Sequence, residues 1–238
     1  MNLLLNQIRE NREYGEIIKA LRERITARKR YPSLVSGLCE GAMDVFLASS
    51  VQDLANGGLP AFICVPDEKS AASLLNSLSA FGLRVGLYPE RDPVLYNIVS
   101  SHELEHERIA VLTDLIENKL DAVISTPTAA LSFTIPEEKL REATKLLSVG
   151  DTIEMAELAD FLSRSGYVRS DMVDGKGKFS IRGGIIDIFP PQLRNPVRME
   201  LFGDEIDQIG YFDIMTQRKT ENIKDVLITF AREILISD

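Results

Sequence analysis

A chain of 238 residues that is 45% apolar and 26% charged is globular and has room for two small domains. Its formal net charge of −9 argues against autonomous, sequence-independent DNA binding, which draws on lysine and arginine contacts to phosphate, and favours a protein partner. The two cysteines, Cys39 and Cys64, are too few for a disulfide framework or zinc cluster and read as small buried apolar residues; no membrane-span run and no secretory signal is evident, so a cytoplasmic protein is expected.

Asn2 to about Ala27 carries Ile17, Ile18, Leu21 and Ile25 at helical spacing, which predicts one amphipathic helix. Arg22, Arg24, Arg28, Lys29 and Arg30 gather towards its end, where cations suit the helix dipole; a contact to nucleic acid is the alternative use of that cluster. The short apolar run Leu34-Val35 reads as a first strand. Next come a helix through Val45, Phe46 and Leu54 closed by Gly57-Gly58, a buried strand at Ala61 to Val65, and a helix from about Ser70 to Phe81 stopped by Gly82. Asp67-Glu68 ahead of that helix reads as an acidic N-terminal pair favoured by the dipole, not as a magnesium site. Strand-like Val85 to Tyr88, a helix over Leu104 to Ile116 and a strand at Ala122 to Ser125 complete an alternation that implies a parallel sheet with helices on both faces.

Thr126-Pro127 closes this first domain, and Pro136 with the charged stretch Glu137 to Lys145 makes the junction. Leu146 to Val149 reads as a strand, Glu154 to Ser165 as a helix ended by Gly166, and Tyr167 to Ile209 as short strands with turns: an α+β module. The boundaries expected are 1–130, 131–230, and a tail from 231 to 238 that begins a return to the first domain.

Two motifs in the first half invite chemistry. Ser36 to Asp44 reads S-G-L-C-E-G-A-M-D where a phosphate-binding loop would read G-x-x-x-x-G-K-[ST]. With Gly37 in register, and Gly41 inside the loop, the last three defining positions hold Ala42, Met43 and Asp44. Asp44 sets a negative charge against phosphate at a helix start, so no nucleotide and no other cofactor is expected. His102-Glu103-Leu104-Glu105-His106 satisfies the zinc-protease pattern H-E-x-x-H. Ser100-Ser101 read as a helix N-cap, which puts His102 in the frayed first turn, and the chain has no third histidine. The segment reads instead as a charged helix with Leu104, Ile109 and Leu112 towards a core; no metal site and no catalytic residue is assigned.

Residues 178 to 218 are the most informative stretch. Val197, Met199 and Leu201 fall on one face of a strand, Arg198 and Glu200 on the other. Gly203-Asp204 has the residue types of a tight turn into Glu205 to Tyr211. Arg182 and Arg198 are expected on neighbouring strands, and Asp187, inside the apolar run IIDIF, must be hydrogen-bonded or paired, with Arg182 or a backbone turn as its partner. Without further information the arginines read as solvated, pairing with Asp204, Glu205 or Asp207.

The strings RGGIIDIFPP, VRMELFGDEID and FDIMTQR resemble the second domain of the UvrB-like proteins of bacterial nucleotide excision repair, a group that includes UvrB and the N-terminal part of the transcription-repair coupling factors. The resemblance implies a parallel-sheet domain like the P-loop NTPases, followed by an α+β domain like UvrB domain 2. The degenerate loop, and a Tyr88 to Ser101 stretch too short to be the tyrosine-rich probe hairpin of UvrB, place the chain with the coupling factors. What the resemblance then implies is a non-catalytic fragment that binds UvrA and brings repair to a stalled RNA polymerase, while polymerase and DNA are engaged by later domains. The UvrA-binding face it implies consists of Arg169, Arg182, Arg198 and Glu200, with Phe189 as an apolar anchor. Ser180 stands where UvrB has a further arginine, for which Lys176 or Lys178 could substitute. A UvrB-type ATPase and a zinc hydrolase are the two alternatives, opposed respectively by Ala42, Met43 and Asp44 and by the position of HELEH.

Overall fold

Asn11 divides the predicted first helix in two. In the computed structural model, which describes residues 2–28, 32–39, 41–55, 60–91 and 102–233, helix α1 covers Asn2–Arg9 and α2 Arg12–Thr26. The Asn11 side chain accepts from the Tyr14 amide at 3.1 Å and so caps α2, which a propensity pattern alone does not reveal. Tyr14 and Ile18 are buried, whereas Ile25 of the predicted stripe is 61% exposed. Arg22 donates to the Asp53 carbonyl and Arg24 to Ser33, so both are used within the fold; Lys29 and Arg30 lie outside the described residues. Leu34-Val35 forms no strand: the run is too short and Leu34 is 92% exposed.

The chain separates into two units, residues 1–89 with 117–130 and residues 90–116 with 131–238. In the first, α3 (Ala42–Leu54), β1 (Ala61–Cys64), α4 (Glu68–Ala80), β2 (Val85–Tyr88) and β3 (Ala122–Ser125) build a three-stranded sheet ordered β1-β3-β2 with both pairings parallel. Asp67, expected only as half of a dipole-favoured acidic pair, is the N-cap of α4 and accepts from the Ser70 amide at 2.8 Å, so the helix begins two residues before the expected Ser70. The central strand is β3, buried along its whole length. Among the described residues strand β1 is an edge instead of the expected buried strand, and its period-two alternation turns Phe62, 58% exposed, and Cys64 outward. Cys64 and Cys39, the latter in the loop before α3, are therefore exposed and not the buried residues that composition suggests.

The second unit holds α5 (Glu103–Ile116), although the sequence places that helix in the parallel alternation. Its Ile109 packs with Leu140 and Phe230. Pro136 stands at the N-cap position of the short α7 (Glu137–Glu142), with no side-chain cap bond, inside the expected junction and after α6 (Pro127–Leu131), whose first residue is a proline in the helix position that needs no amide. Strand β4 (Lys145–Ser148) pairs antiparallel with β11 (Asp225–Ile228), so Val226, Ile228 and Ala231 join this unit's core. A six-stranded sheet follows α8 (Met155–Arg164). Its strands β5 (Val168–Arg169), β6 (Lys178–Arg182), β7 (Ile185–Ile188), β8 (Val197–Phe202), β9 (Glu205–Phe212) and β10 (Lys219–Ile223) lie in the order β10-β9-β8-β7-β6-β5. All neighbours are antiparallel except β5 and β6. Gly203, at φ +65°, makes the β8–β9 turn in the left-handed region, as the sequence predicts. One sheet face is dry: Phe179, Ile186, Ile188, Val197 and Met199 are fully buried with Leu158 and Leu162 of α8.

A charged outer face on the six-stranded sheet

Directly opposed residues of an antiparallel ladder point to the same side, so the register of β6 to β9 sets out the other face in rows. One row reads Ser180, Asp187, Arg198, Gly210; the next reads Arg182, Ile185, Glu200, Gln208. Arg182 and Arg198 are thus not on neighbouring strands, since β7 runs between them and carries Asp187.

Asp187 is 1% exposed and binds both arginines. Its Oδ1 accepts from Arg198 Nε at 2.7 Å, and its Oδ2 accepts from Arg198 Nη2 at 2.9 Å and Arg182 Nη2 at 3.0 Å. The fork from Arg198 is the strong arm, because two parallel charge-assisted bonds share one carboxylate. That hydrogen bonding to Asp187, partly opposed by burial, raises the Arg198 pKa above its already high ordinary value. Arg198 also donates to the Gln217 carbonyl at 3.2 Å and lies 4.7 Å from the centroid of the Phe212 ring, a cation–π distance. Its side chain is 16% exposed, while that of Arg182, held by a single bond, is 53% exposed. The sequence supplies Arg182 as a partner for Asp187 but misses the stronger one, and Asp204, Glu205 and Asp207 pair with neither arginine.

The remaining face residues divide by exposure. Arg169 on the edge strand β5 makes no side-chain hydrogen bond or ion pair among the described residues. With Arg182 it flanks a groove of about 380 Å³ lined by Ser170, Asp171, Ser180 and Ile181. Glu200 faces Lys219 at 3.4 Å. Ser180 is 2% exposed and donates to the Asp171 carbonyl at 3.0 Å, so no charged group occupies that position. Lys176 and Lys178 do not replace one, since they bond the Pro191 carbonyl and Asp174 respectively. Phe189 is 7% exposed and packs with Val173 and Phe212, so its ring lies beneath the face and is not a surface anchor. The exposed apolar residue within the rows is Ile185, at 37%. Four apolar neighbours around Asp187 hide its outward parity in the sequence, and only strand register reveals it.

The other motifs are placed as follows. Gly37 and Gly41 have φ of +84° and +87°, Gly41 precedes α3 without a side-chain cap, and Met43 is 49% exposed. Ala42 and Asp44 occupy the first turn of α3, with no cation at the position of the loop lysine. Most of the Tyr88 to Ser101 stretch, and the Ser100-Ser101 pair, lie outside the described residues. His102, just ahead of α5, is exposed, while His106 within the helix is 8% exposed and burial pushes its pKa down to about 4. The two rings stand 6.2 Å apart, His102 bonds Glu105 at 3.1 Å, and no group of three metal ligands occurs among the described residues. The fully buried Arg108 of the same helix pairs with Glu233 at 2.8 Å, whose carboxyl is held below its ordinary range by Arg108, Thr134 and Arg91 against the opposing effect of burial. No described helix is long and apolar enough to cross a membrane.

A family model described as the UvrB interaction domain matches residues 146–233, which run from β4 past β11 and include the whole six-stranded sheet. The chain is 33% identical over 232 residues to the transcription-repair-coupling factor of Bacillus subtilis (strain 168), an alignment covering 96% of this chain and 19% of that protein. It is 38% identical over 152 residues to the proteins of the same name from Staphylococcus haemolyticus and Staphylococcus aureus (strain MRSA252), covering 63% of this chain and 13% of each. The chain therefore spans about a fifth or less of the length of these relatives.

Proposed function

From a chain homologous to the transcription-repair-coupling factors, with a UvrB interaction domain over residues 146–233, we infer a binding module that recruits UvrA to a stalled transcription complex. The observation that carries this reading is the availability of Arg182: it projects from the outer sheet face with 53% of its side chain exposed, beside Arg169, which makes no side-chain ion pair among the described residues. Arginines at the centre of an interface are frequent hot spots, and truncating one commonly costs about 2 kcal/mol. Arg169, Arg182 and Glu200 supply charges of both signs to such a contact.

The first unit acts as scaffold. Its three-stranded parallel sheet and the glycines of the Ser36 to Asp44 loop support a P-loop-NTPase-like ancestry in which Ala42, Met43 and Asp44 have replaced the phosphate-binding chemistry. The module works in the cytoplasm and catalyses nothing, and engagement of RNA polymerase and ATP-driven movement on DNA fall to regions of the longer relatives that this chain does not span. Titration calorimetry of the chain against UvrA from the same organism tests the reading, with Arg182→Glu as paired control. Binding that the substitution abolishes, with the circular dichroism spectrum intact, is expected. Absence of binding by the unsubstituted chain would refute it.

A further inference from the structure

Within the second unit, α7, α8 and the stretch before α7 line a cavity of about 950 Å³. Its apolar walls are Phe133, Ile135, Ala143 and Phe161. Ile135 and Ala143 are backed by the cluster of Ile109, Leu140 and Phe230, and Phe161 by the core beneath the six-stranded sheet, so packing on both sides fixes the walls. The polar groups there are unevenly matched. Glu233, 5% exposed, is one carboxylate facing two guanidiniums: the fully buried Arg108 donates to its two oxygens at 2.8 and 3.0 Å, and Arg91 lies 3.1 Å from Oε2. Arg91 lines the cavity and has no other side-chain partner among the described residues, so this end carries one positive charge with donors to spare. Ser165, at the C-cap of α8, lines the same cavity and is 3% exposed. Its carbonyl accepts from the Ala231 amide at 2.7 Å, but its hydroxyl has no hydrogen-bond partner among the described residues. The remaining charges of the lining are paired, Lys139 with Glu142 and Arg164 with Asp160.

We propose that this cavity binds a small amphipathic anion, a molecule with an apolar body and one carboxylate. The body lies against Phe133, Ile135, Ala143 and Phe161, and the carboxylate accepts from Arg91 and from the Ser165 hydroxyl. What is left unsatisfied selects this chemistry. The oxygens of Glu233 are already used by Arg108, Arg91 and Thr134, whereas Arg91 and Ser165 still have donors, so the ligand must accept hydrogen bonds and bring negative charge. A carboxylate completes an alternating series, Arg108, Glu233, Arg91, ligand, in which each half-buried charge has a counter-charge, and charge-assisted bonds to a guanidinium are the strong ones. The volume lies within the range of about 300–1,000 Å³ that holds drug-sized molecules, and mostly apolar walls with a few convergent polar groups are the usual make-up of such sites. Arg169, Arg182, Arg198 and Glu200 are not among the lining residues, so the proposal is independent of UvrA binding.

The test is an NMR titration of the whole chain with phenylbutyrate as probe and phenylbutanol as its neutral counterpart. Phenylbutyrate is expected to shift the amide resonances of Ile135, Ala143 and Ser165 saturably and to bind at least about tenfold more tightly than the alcohol. Arg91→Gln should remove that preference and leave the two probes equal. Ser165→Ala should weaken phenylbutyrate binding severalfold with an unchanged melting temperature, because the hydroxyl it removes holds nothing in the fold. Ala143→Phe puts a ring into the cavity and should abolish binding of both probes, with circular dichroism confirming that the chain stays folded. The absence of saturable shifts at these amides, equal binding of acid and alcohol by the unsubstituted chain, or binding that survives Ala143→Phe would each overturn the proposal. Shifts confined to Arg169 and Arg182 would show anion pairing with exposed arginines and would overturn it as well.

Discussion

Removing the carboxylate of Asp187 leaves a guanidinium that the fold cannot easily rehydrate. Arg198 has 16% of its side chain exposed and would keep only the Gln217 carbonyl at 3.2 Å and the Phe212 ring. Breaking a buried ion pair from one side costs about 3 to 5 kcal/mol; because the Arg198 head keeps some solvent, about 3 kcal/mol is expected for Asp187→Ala. Arg182 forms one bond from a half-exposed position, so Arg182→Ala should cost less than about 1 kcal/mol. Urea unfolding followed by circular dichroism, arranged as two double-mutant cycles, separates these numbers. The Asp187–Arg198 coupling should be about 2 kcal/mol and the Asp187–Arg182 coupling about 0.5 kcal/mol or less. In a thermal melt the Asp187→Ala loss corresponds to roughly 6 to 12 °C for a chain of this size. Equal couplings, or an Asp187→Ala variant as stable as the parent, would show that Asp187 is not the centre of this face.

Three further outcomes are expected. His106 has its folded pKa lowered by burial from 6.5 to about 4. The unfolded chain therefore takes up this proton first, and stability falls as pH drops from about 6.5 towards 4, by about 2 kcal/mol once partial solvent screening is allowed for. An NMR titration of the His106 ring checks the value, and His106→Gln should remove that part of the pH dependence. Gly210→Ala should destabilise the second unit by about 1 to 3 kcal/mol, because a Cβ would lie 2.6 Å from the Glu221 carbonyl oxygen and 2.5 Å from Lys219 Cε; an unchanged urea midpoint would refute the tight β9–β10 packing. Neither ATP with magnesium nor zinc should raise the melting temperature. A ligand at a hundred times its Kd would add about 2.7 kcal/mol, so a rise would revive the ATPase or the zinc hydrolase.

Much of this chain is legible residue by residue because its signals are local. Val197, Met199 and Leu201 against Arg198 and Glu200, the Gly203-Asp204 turn, the helix ending at Gly166 and the acidic Asp67-Glu68 pair at a helix start follow from the two-residue period of a strand and from the end geometry and dipole of a helix. The strings around Arg182 and Arg198 likewise pointed to the UvrB interaction domain that matches residues 146–233. Other features depend on residues far apart in the chain. That β7 separates Arg182 from Arg198 and gives both the same carboxylate is a matter of strand pairing. That Phe189 lies under the face, Ile185 on it, and Cys64 on an open edge is a matter of which neighbours cover each side. Helix α5 shows the same limit: its amphipathic pattern announces a helix, but its membership in the second unit comes from Ile109 meeting Leu140 and Phe230. Backbone geometry imposes periodicity within an element, whereas burial and charge pairing arise only when elements distant in sequence are brought together, and no local period records which elements those are.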